Sequence, residues 1–276
     1  MKRHPTCERL RVWLAASALL AAGAVHADGD YFSPTEDRVR LSLGIVRDSA
    51  VSSVRLDSST GAPGDNVDAE RTFGLHPVKY EPKFEAMVRA GERHRVWFDY
   101  FELDRTGFAT LNQFVQFRDA LLLPGDPVQS EVSLRTFGVT YGYSIWHGNR
   151  LEVAATFGIE SAGLLASARV QTATRHIYES DTGAGPFPVL GAAATWVASR
   201  RFYFDARAQY FRVSVGHLDG SLGIYEFDAL YRLRPNVSFA LGYSDVQASL
   251  SSTQPTQSGY FDLSAKGPQF FVRVAF

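Results

Sequence analysis

The sequence predicts an all-β protein, a transmembrane antiparallel up-and-down β-barrel of about ten strands. Three observations support this prediction. Many segments alternate between apolar residues and small or polar residues, which is the period of a strand with two different faces. The connections between these segments alternate between tight turns and longer stretches. The chain also begins with a basic and then apolar segment that is typical of exported proteins.

Residues 1–27 are expected to form a signal peptide that is cleaved after Ala27. Its basic residues are Lys2, Arg3, Arg9 and Arg11. The apolar stretch Val12–Gly23 follows, and Val25–Ala27 places small or tolerated side chains at the cleavage positions. A membrane anchor is the alternative, but the apolar stretch is shorter than the roughly 20 residues of a spanning helix. Residues 28–276 are then expected to form one barrel domain.

Residue types restrict the chemistry that this domain can perform. Cys7 is the only cysteine and lies in the predicted signal peptide, so no disulfide or thiolate metal site is expected after cleavage. The sequence has no phosphate loop, dinucleotide fingerprint or metal-ligand spacing, so no cofactor and no metal are expected. The net charge is −1 and the basic residues form no cluster, which argues against a nucleic-acid partner.

The alternation is clearest in the last strand, where Phe270, Val272, Val274 and Phe276 form the apolar set. The same pattern occurs in Arg38–Ile45, Thr136–Ile145, Arg150–Glu160 and Val237–Ser244. A soluble β-sandwich would also alternate. However, the apolar sets here contain large aromatic residues, and the opposite sets are rich in Gly, Ser, Ala and Thr. Such composition is typical of strands that face lipid on one side and a narrow lumen on the other.

The turns give the strand count. Tight turns, which face the periplasm in such barrels, are predicted at Ala90–Arg93, His147–Asn149, Ser199–Arg200 and Pro235–Asn236. Longer connections are predicted at Ser58–Pro77, Gly107–Ser130, Ser161–Pro186, Gly216–Gly220 and Ser251–Gly259. This gives ten strands, with both termini on the periplasmic side. Eight to twelve strands stay open, because Asp37–Ser58 could be one long strand or a hairpin, and Gln113–Leu121 and Leu165–His176 could form strands.

Aromatic residues support the same arrangement. Trp97, Trp146 and Trp196 lie next to tight turns, so all three are expected in an aromatic girdle at the periplasmic edge. The C-terminal pattern that ends at Phe276 resembles the substrates of the bacterial outer-membrane assembly machinery. That resemblance implies that Phe270, Val272, Val274 and Phe276 are an assembly signal; an ordinary edge strand ending in Phe is the alternative. The implied partners are this machinery, periplasmic chaperones, and outer-membrane lipid and lipopolysaccharide.

Four short sequence segments resemble those of a widespread family of small bacterial outer-membrane β-barrel proteins with a signal peptide and a C-terminal phenylalanine. They are Val54–Ser59, Gly91–Val96, Phe114–Asp119 and Pro186–Gly191. Together they are spread over most of the chain. The resemblance implies the fold and an outer-membrane location, and it transfers no activity.

Charged residues of both signs fall on the predicted inward faces. They are Glu85, Arg89, Arg95, Asp99, Glu152, Glu160, Asp205, Arg207, Glu226, Asp228, Arg232 and Arg273. Because a barrel of eight to ten strands is narrow, these side chains are expected to form a network that plugs the lumen, which gives a structural role. The other interpretation is a narrow, weakly selective pore. The mixture of signs favours pairing over a filter of one sign.

Two further functions stay open. Long external loops at 58–77, 107–130 and 161–186 would suit a binding or adhesion barrel. A hydrolase at the outer rim, either lipid A-modifying or protease-like, would need a histidine beside an acid. His217 with Asp219, or His176 with Glu179 and Asp181, could supply one. Ser214 and Ser221 near His217 lie in no recognisable nucleophile setting, so no catalytic residue is predicted and an enzyme is not expected.

Overall fold

The computed structural model describes residues 33–171, 176–254 and 257–276. The predicted signal peptide, residues 1–27, lies outside these ranges, so its cleavage stays a prediction. Within the described ranges, no helix has the length and apolar character needed to cross a membrane.

The described residues form thirteen strands and one short helix. In chain order these are β1 Val39–Leu56, β2 Val67–Asp68, α1 Ala69–Phe73, β3 Val78–Ala90, β4 His94–Thr110, β5 Val115–Phe117, β6 Ala120–Leu122, β7 Pro127–His147, β8 Leu151–Gln171, β9 His176–Val197, β10 Phe202–Val215, β11 Leu218–Arg234, β12 Val237–Gln254 and β13 Gln257–Ala275.

Ten of these strands form a closed antiparallel ring. They are β1, β3, β4 and β7 to β13, and the ring closes where β1 pairs with β13 from Arg40↔Ala275 to Leu56↔Gly259. The predicted up-and-down barrel and the count of ten are therefore confirmed. The segment Asp37–Ser58 contains one long strand rather than a hairpin. Gln113–Leu121 contributes to β5 and β6, which form a small hairpin that does not pair with the strands of the ring.

A belt of apolar side chains surrounds the half of the ring that carries the tight turns. On β8 the outward residues from Leu151 to Ile159 are apolar, and the next outward residue is Ser161. On β1 the change comes between Ile45 and Arg47. The belt is therefore about nine residues tall, which matches the roughly 9–11 residues of a tilted strand that crosses a bilayer. Strands of 17 to 22 residues, such as β4 and β9, continue well beyond it on the outer side.

Above the belt the two faces of the strands change polarity, so that the outward face is polar and the inward face is apolar. On β12 the outward residues are Asp245, Gln247 and Ser249, whereas Val246 and Ala248 point inward. Inside the membrane the same strand has the opposite arrangement. The outer half of the barrel is therefore built like a water-soluble barrel, with its apolar side chains in the lumen.

This exchange explains which connections were predicted wrongly. The four tight turns and the long connections at 58–77 and 107–130 are confirmed. The predicted loop Ser161–Pro186 is wrong, because β8 and β9 continue to Gln171 and from His176, respectively. The connections predicted at Gly216–Gly220 and Ser251–Gly259 lie where predicted but are shorter, because β11 begins at Leu218, β12 continues to Gln254 and β13 begins at Gln257. The apolar set changes face at these heights, so the alternation is interrupted although the main chains stay paired.

The aromatic girdle contains two of the three predicted tryptophans. Trp146 and Trp196 are 63% and 54% exposed at the tight-turn end of the ring. The prediction for Trp97 is wrong, since this side chain faces the lumen and is only 6% exposed. The outward positions of β4 near Trp97 are the even-numbered ones, Val96 and Phe98, so the odd-numbered Trp97 points its indole into the lumen.

The two long connections fold back into the outer lumen instead of projecting from the barrel. Helix α1 and the β5–β6 hairpin supply Phe73, Val115, Phe117 and Leu122 to a buried apolar cluster with the inner wall. Buried Arg105 on β4 donates to Glu70 of α1 at 2.5 Å and ties the helix to the wall.

Hydrogen bonds of acidic side chains connect these two segments at the outer end. Asp119 accepts from Ser58 Oγ at 2.7 Å and from the Ser59 amide at 2.8 Å, and these bonds lower its pKa. Within the first segment, Asp57 accepts from Arg55 Nε at 2.7 Å and from the Gly64 amide at 2.9 Å. The bond from Arg55 is the main reason that the pKa of Asp57 falls from near 3.8 to about 2.

A charge on the belt should destabilise the barrel, whereas the same charge above the belt should not. Leu241 is 65% exposed on the outward face of β12 within the belt. Leu241→Arg is expected to cost about 2–4 kcal/mol of unfolding free energy in lipid vesicles, measured by urea titration, if it lies near the bilayer midplane. Ser249→Arg on the outward face of the same strand is the control and should leave the midpoint unchanged; equal losses would contradict the assigned belt.

The connection between the two outer segments should loosen in acid. Asp119 accepts from Ser58 and Ser59 of the other segment, and these bonds hold its pKa below the ordinary 3.8 in the folded protein, so their contribution to stability is present above that pH and is lost as the pH falls below it. A nitroxide at Gln113, in a Cys7→Ser chain, should give an immobilised spectrum at pH 6 and a more mobile one near pH 2. A nitroxide at Glu92, in a tight turn at the other end, should show no such transition; a pH-independent spectrum at Gln113 would argue against this connection.

Candidate functional site

The lumen inside the membrane belt is filled by paired charges centred on Arg207. This guanidinium lies 2.5 Å from Asp99, 3.0 Å from Glu226 and 3.3 Å from Glu85. Lys83 forms a further ion pair with Glu226 and donates to Gln269 at 2.9 Å. Strands from opposite parts of the ring contribute to this group, so the network crosses the lumen.

A second arginine group lies beside the first. Arg273 pairs with Asp205 and lies 3.5 Å from Glu85, which links the two groups. Arg40 lies 3.1 Å from Asp37 and 3.7 Å from Asp205. These side chains are buried, and burial of an unpaired ion would cost several kcal/mol, so their mutual pairing is what allows them to lie there.

A third group closes the lumen towards the tight turns around fully buried Glu152. This carboxylate accepts two hydrogen bonds from Arg89 at 2.8 Å and one from Ser144 at 2.6 Å. Arg95 lies 3.1 Å from it, and His147 Nδ1 lies 3.2 Å from it.

Every charged residue that the sequence placed on an inward face lies on the lumen side of its strand. Glu160 packs close to Asp99 above Gly138, where only a glycine leaves room for both carboxylates. Its Oε1 has no hydrogen-bond partner among the described atoms. Buried Arg232 and Asp228 complete the set; the guanidinium of Arg232 lies 5.6 Å from the Tyr203 ring.

Four residues of this network were not predicted from the sequence. They are Asp37, Arg40, Lys83 and Gln269. Lys83 lies two residues before Glu85 on the same strand, so the alternation that identified Glu85 also identifies Lys83. Arg40 was visible in the polar set of the first strand in the same way.

Little free space is left among these charges. Two cavities between them have volumes of about 30 and 10 Å³. A single water needs roughly 10–15 Å³ on this measure. Cations and anions alternate within the network, which is unlike the ring of one sign that lines a selective pore.

A large apolar cavity lies above this plug. Its volume is about 410 Å³, within the usual range of roughly 300–1,000 Å³ for ligand pockets. Most of its walls are inward side chains above the belt, among them Leu134, Ala162, Leu164, Leu222, Ala248 and Leu250. No charged side chain lines it in the part of the chain that the structure describes. On one side it borders the cluster that the two inward-folded connections build.

At the outer rim, the described histidines form no pair with an acid, and the His147–Glu152 contact lies at the tight-turn end. His217 is exposed in the turn between β10 and β11, and its Nδ1 lies 3.4 Å from Thr253 Oγ1. His94 Nδ1 lies 2.6 Å from the Tyr141 hydroxyl at the tight-turn end. The side chains of His176, Glu179 and Asp181 lie outside the described residues. No group of three potential ligands that could hold a metal is found in the described ranges.

The predicted assembly signal lies on β13, the strand that closes the ring. Phe270 and Phe276 are 47% and 53% exposed on its outward face, and Val274 is buried. Val272 pairs with Leu43 of β1 and with Phe239 of β12. This position fits a closing strand, and recognition by an assembly machinery stays a prediction.

No family model matches this sequence, and no curated protein matches it. Its fold is similar to that of the outer-membrane protease OmpT of Escherichia coli, with a TM-score of 0.56 and 7% identity over 91% of this chain and 99% of that chain. The translocator domain of the autotransporter NalP from Neisseria meningitidis aligns with a TM-score of 0.48 and 11% identity over 98% of this chain and 97% of that chain. At this identity the likeness to OmpT shows the fold alone, which is that of an outer-membrane β-barrel.

Removal of the central cation should destabilise the barrel. Arg207→Met leaves Asp99, Glu85 and Glu226 without their shared partner, and breaking such a buried pair costs about 3–5 kcal/mol. Urea unfolding in vesicles should show this loss, whereas Arg212→Met, at an exposed position of the same strand, should change it by less than about 1 kcal/mol. Equal midpoints for the two variants would contradict the central role of Arg207.

Proposed function

We propose that this protein is an integral outer-membrane barrel that is closed to free passage and binds a small apolar ligand in its outer lumen. The single observation that carries the proposal is the apolar cavity of about 410 Å³ directly above a salt-bridged plug. A cavity of this size with apolar walls gains free energy when an apolar ligand replaces the water in it, at about 25 cal/mol per Å² of apolar surface buried.

The proposed location follows from the outer surface of the barrel. A closed ring leaves no unpaired strand edge within the belt, and the belt has the height of a bilayer core. Outer-membrane lipid and lipopolysaccharide would then surround the protein. Export by the signal peptide, escort by periplasmic chaperones and insertion by the assembly machinery are part of this proposal.

Binding is better supported than the other roles that the sequence left open. A pore would need a continuous aqueous path, whereas the belt region is crossed by three groups of paired charges. A purely structural role would not require a cavity of this size and polarity. Adhesion through projecting loops is less well supported, because the segments 58–77 and 111–126 are folded into the lumen. Among the described side chains, no specific contact favours a rim hydrolase.

The test is titration of the refolded barrel with N-phenyl-1-naphthylamine, an uncharged fluorescent probe. Leu222→Trp should fill part of the cavity and weaken binding at least tenfold, which corresponds to about 1.4 kcal/mol. The matched control is Leu233→Trp, on the same strand but outward and 56% exposed. Equal affinities of the two variants would exclude the cavity as the binding site.

Planar-bilayer recordings address the closed lumen separately. The refolded protein should produce no discrete current steps, with the heat-dependent shift in gel mobility as the control for folding. Reproducible unitary currents would contradict the closed barrel and support the narrow pore instead.

A further inference from the structure

The wall of the barrel is divided between β9 and β10 on the outer side. These strands pair from Val197↔Tyr203 to Leu190↔Tyr210, and no further main-chain pair joins them in the described residues. Both strands nevertheless continue, β9 to His176 and β10 to Val215. On its other side β9 pairs with β8 over its whole length. A lateral gap therefore opens in the wall above Leu190 and Tyr210.

Two prolines mark the edge of this gap. Pro188 and Pro186 follow the last paired position of β9, counted towards the outer end. Proline has no N–H donor and occurs in sheets at edges. The pairing of β9 with β8 continues unbroken through both prolines. The N–H groups that the prolines lack are therefore lacking on the edge of β9 that faces β10 and has no partner strand there. The sequence of β9 thus disfavours closure of the gap by main-chain hydrogen bonds.

The apolar cavity lies directly behind the gap. Gly185 and Phe187 of β9 and Phe211 and Val213 of β10 all line the cavity. The rings of Phe187 and Phe211 meet across the gap with their centroids 6.2 Å apart and their planes at 61°. A ligand that passes through the wall here therefore has to displace aromatic side chains, but it does not have to break hydrogen bonds between strands.

The gap begins at the outer boundary of the membrane belt. Pro188 pairs with Ile159, the outermost residue of the apolar belt on β8. On β10, Tyr210 is followed by exposed Arg212 as the next outward residue. The lower edge of the gap thus lies where acyl chains of the outer leaflet meet their headgroups, and Arg212 places a cation at headgroup height.

The wall has a second interruption, between β3 and β4, but other contacts close it. The pairing of β3 with β4 ends at Lys83↔Phe101, directly beside Pro82. There Lys79 donates to the Asp104 carbonyl at 2.6 Å, and an isolated bridge joins Leu75 to Gly107. The inward-folded connection 57–77 thus seals that interruption, whereas the contact that the described residues show across the gap between β9 and β10 is that of the two phenylalanine rings.

We propose that this gap is a lateral entrance through which one hydrocarbon chain passes between the outer leaflet and the cavity. The inference rests on the proposed function, because it names the ligand of the same cavity. The walls favour a linear acyl chain, and the position of Arg212 favours an anionic headgroup that stays outside at the interface. A free fatty acid and a membrane lipid both have this chemistry, and the experiment separates the two sources.

The experiment uses a fluorescent reporter inside the cavity. In a Cys7→Ser chain the protein has no other cysteine, so Leu164→Cys can be labelled with bimane on the inner wall of β8. The labelled barrel is reconstituted in vesicles that contain phosphatidylcholine with a nitroxide on one acyl chain. In a parallel arm, nitroxide-labelled stearic acid is added to the same barrel in detergent without a bilayer. Quenching reports contact between the chain and the cavity.

Two matched substitutions test the route. Pro188→Lys places a charge at the edge of the gap, and Pro268→Lys places the same charge on the outward face of β13, where pairing with β12 is continuous. Barrels of this kind tolerate a lysine near the interface, so both variants should fold, which the gel-mobility shift checks. Pro188→Lys should reduce quenching by the labelled lipid at least threefold, whereas Pro268→Lys should leave it unchanged.

The outcomes separate the two proposals. Equal quenching by the labelled lipid in both lysine variants would overturn the lateral entrance. Quenching by stearic acid in detergent, without quenching by the lipid in vesicles, would keep the apolar cavity as a binding site and overturn supply from the leaflet. Absence of quenching in both arms would overturn the proposed function together with the entrance.

Discussion

The structure depends on one constraint, which is that main-chain polar groups inside a bilayer must find their partners within the protein. The pairing of β1 with β13 meets this requirement by closing ten strands into a ring. Once the ring is closed, every residue in the belt faces either lipid or a narrow lumen. The lipid face must be apolar, and the charges that remain on the inner face must neutralise one another. The belt and the arginine network are two consequences of the same closure.

The constraint ends where the membrane ends, and the barrel changes character there. Above the belt the outer face meets water, so polar residues such as Asp245 and Gln247 face out, and the lumen becomes apolar. Two connections fold into this upper lumen and fill it beside β1, β4 and β7. The part next to β8 to β12 is left as a cavity. The lumen therefore has two levels. Paired charges fill the lower level and form the plug, and apolar side chains line the upper level and form the cavity.

The sequence predicts the membrane level well, because one alternating pattern runs through each strand there. It identifies the ring of ten strands and the inward positions from Glu85 to Arg273. It fails at the upper level, where the apolar set moves to the other face and the extended parts of β8 and β9 look like loops. Trp97 faces the lumen although it lies near a tight turn, because the phase of β4 and not the distance from the turn sets the direction of its side chain. The gap between β9 and β10 cannot be predicted from periodicity, because it depends on where these two long strands stop pairing. Pro186 and Pro188 are the one local signal for it in the sequence of β9.

The most direct test of this account is anomalous diffraction from crystals of the refolded protein grown with a long-chain fatty acid that carries bromine near its methyl end. The account predicts a bromine peak inside the outer lumen, in van der Waals contact with Leu164 and Leu222, with the chain leading towards Phe187 and Phe211. A bromine peak found only on the lipid-facing surface, for example in the hollow around Ala192 and Ala208, would contradict it.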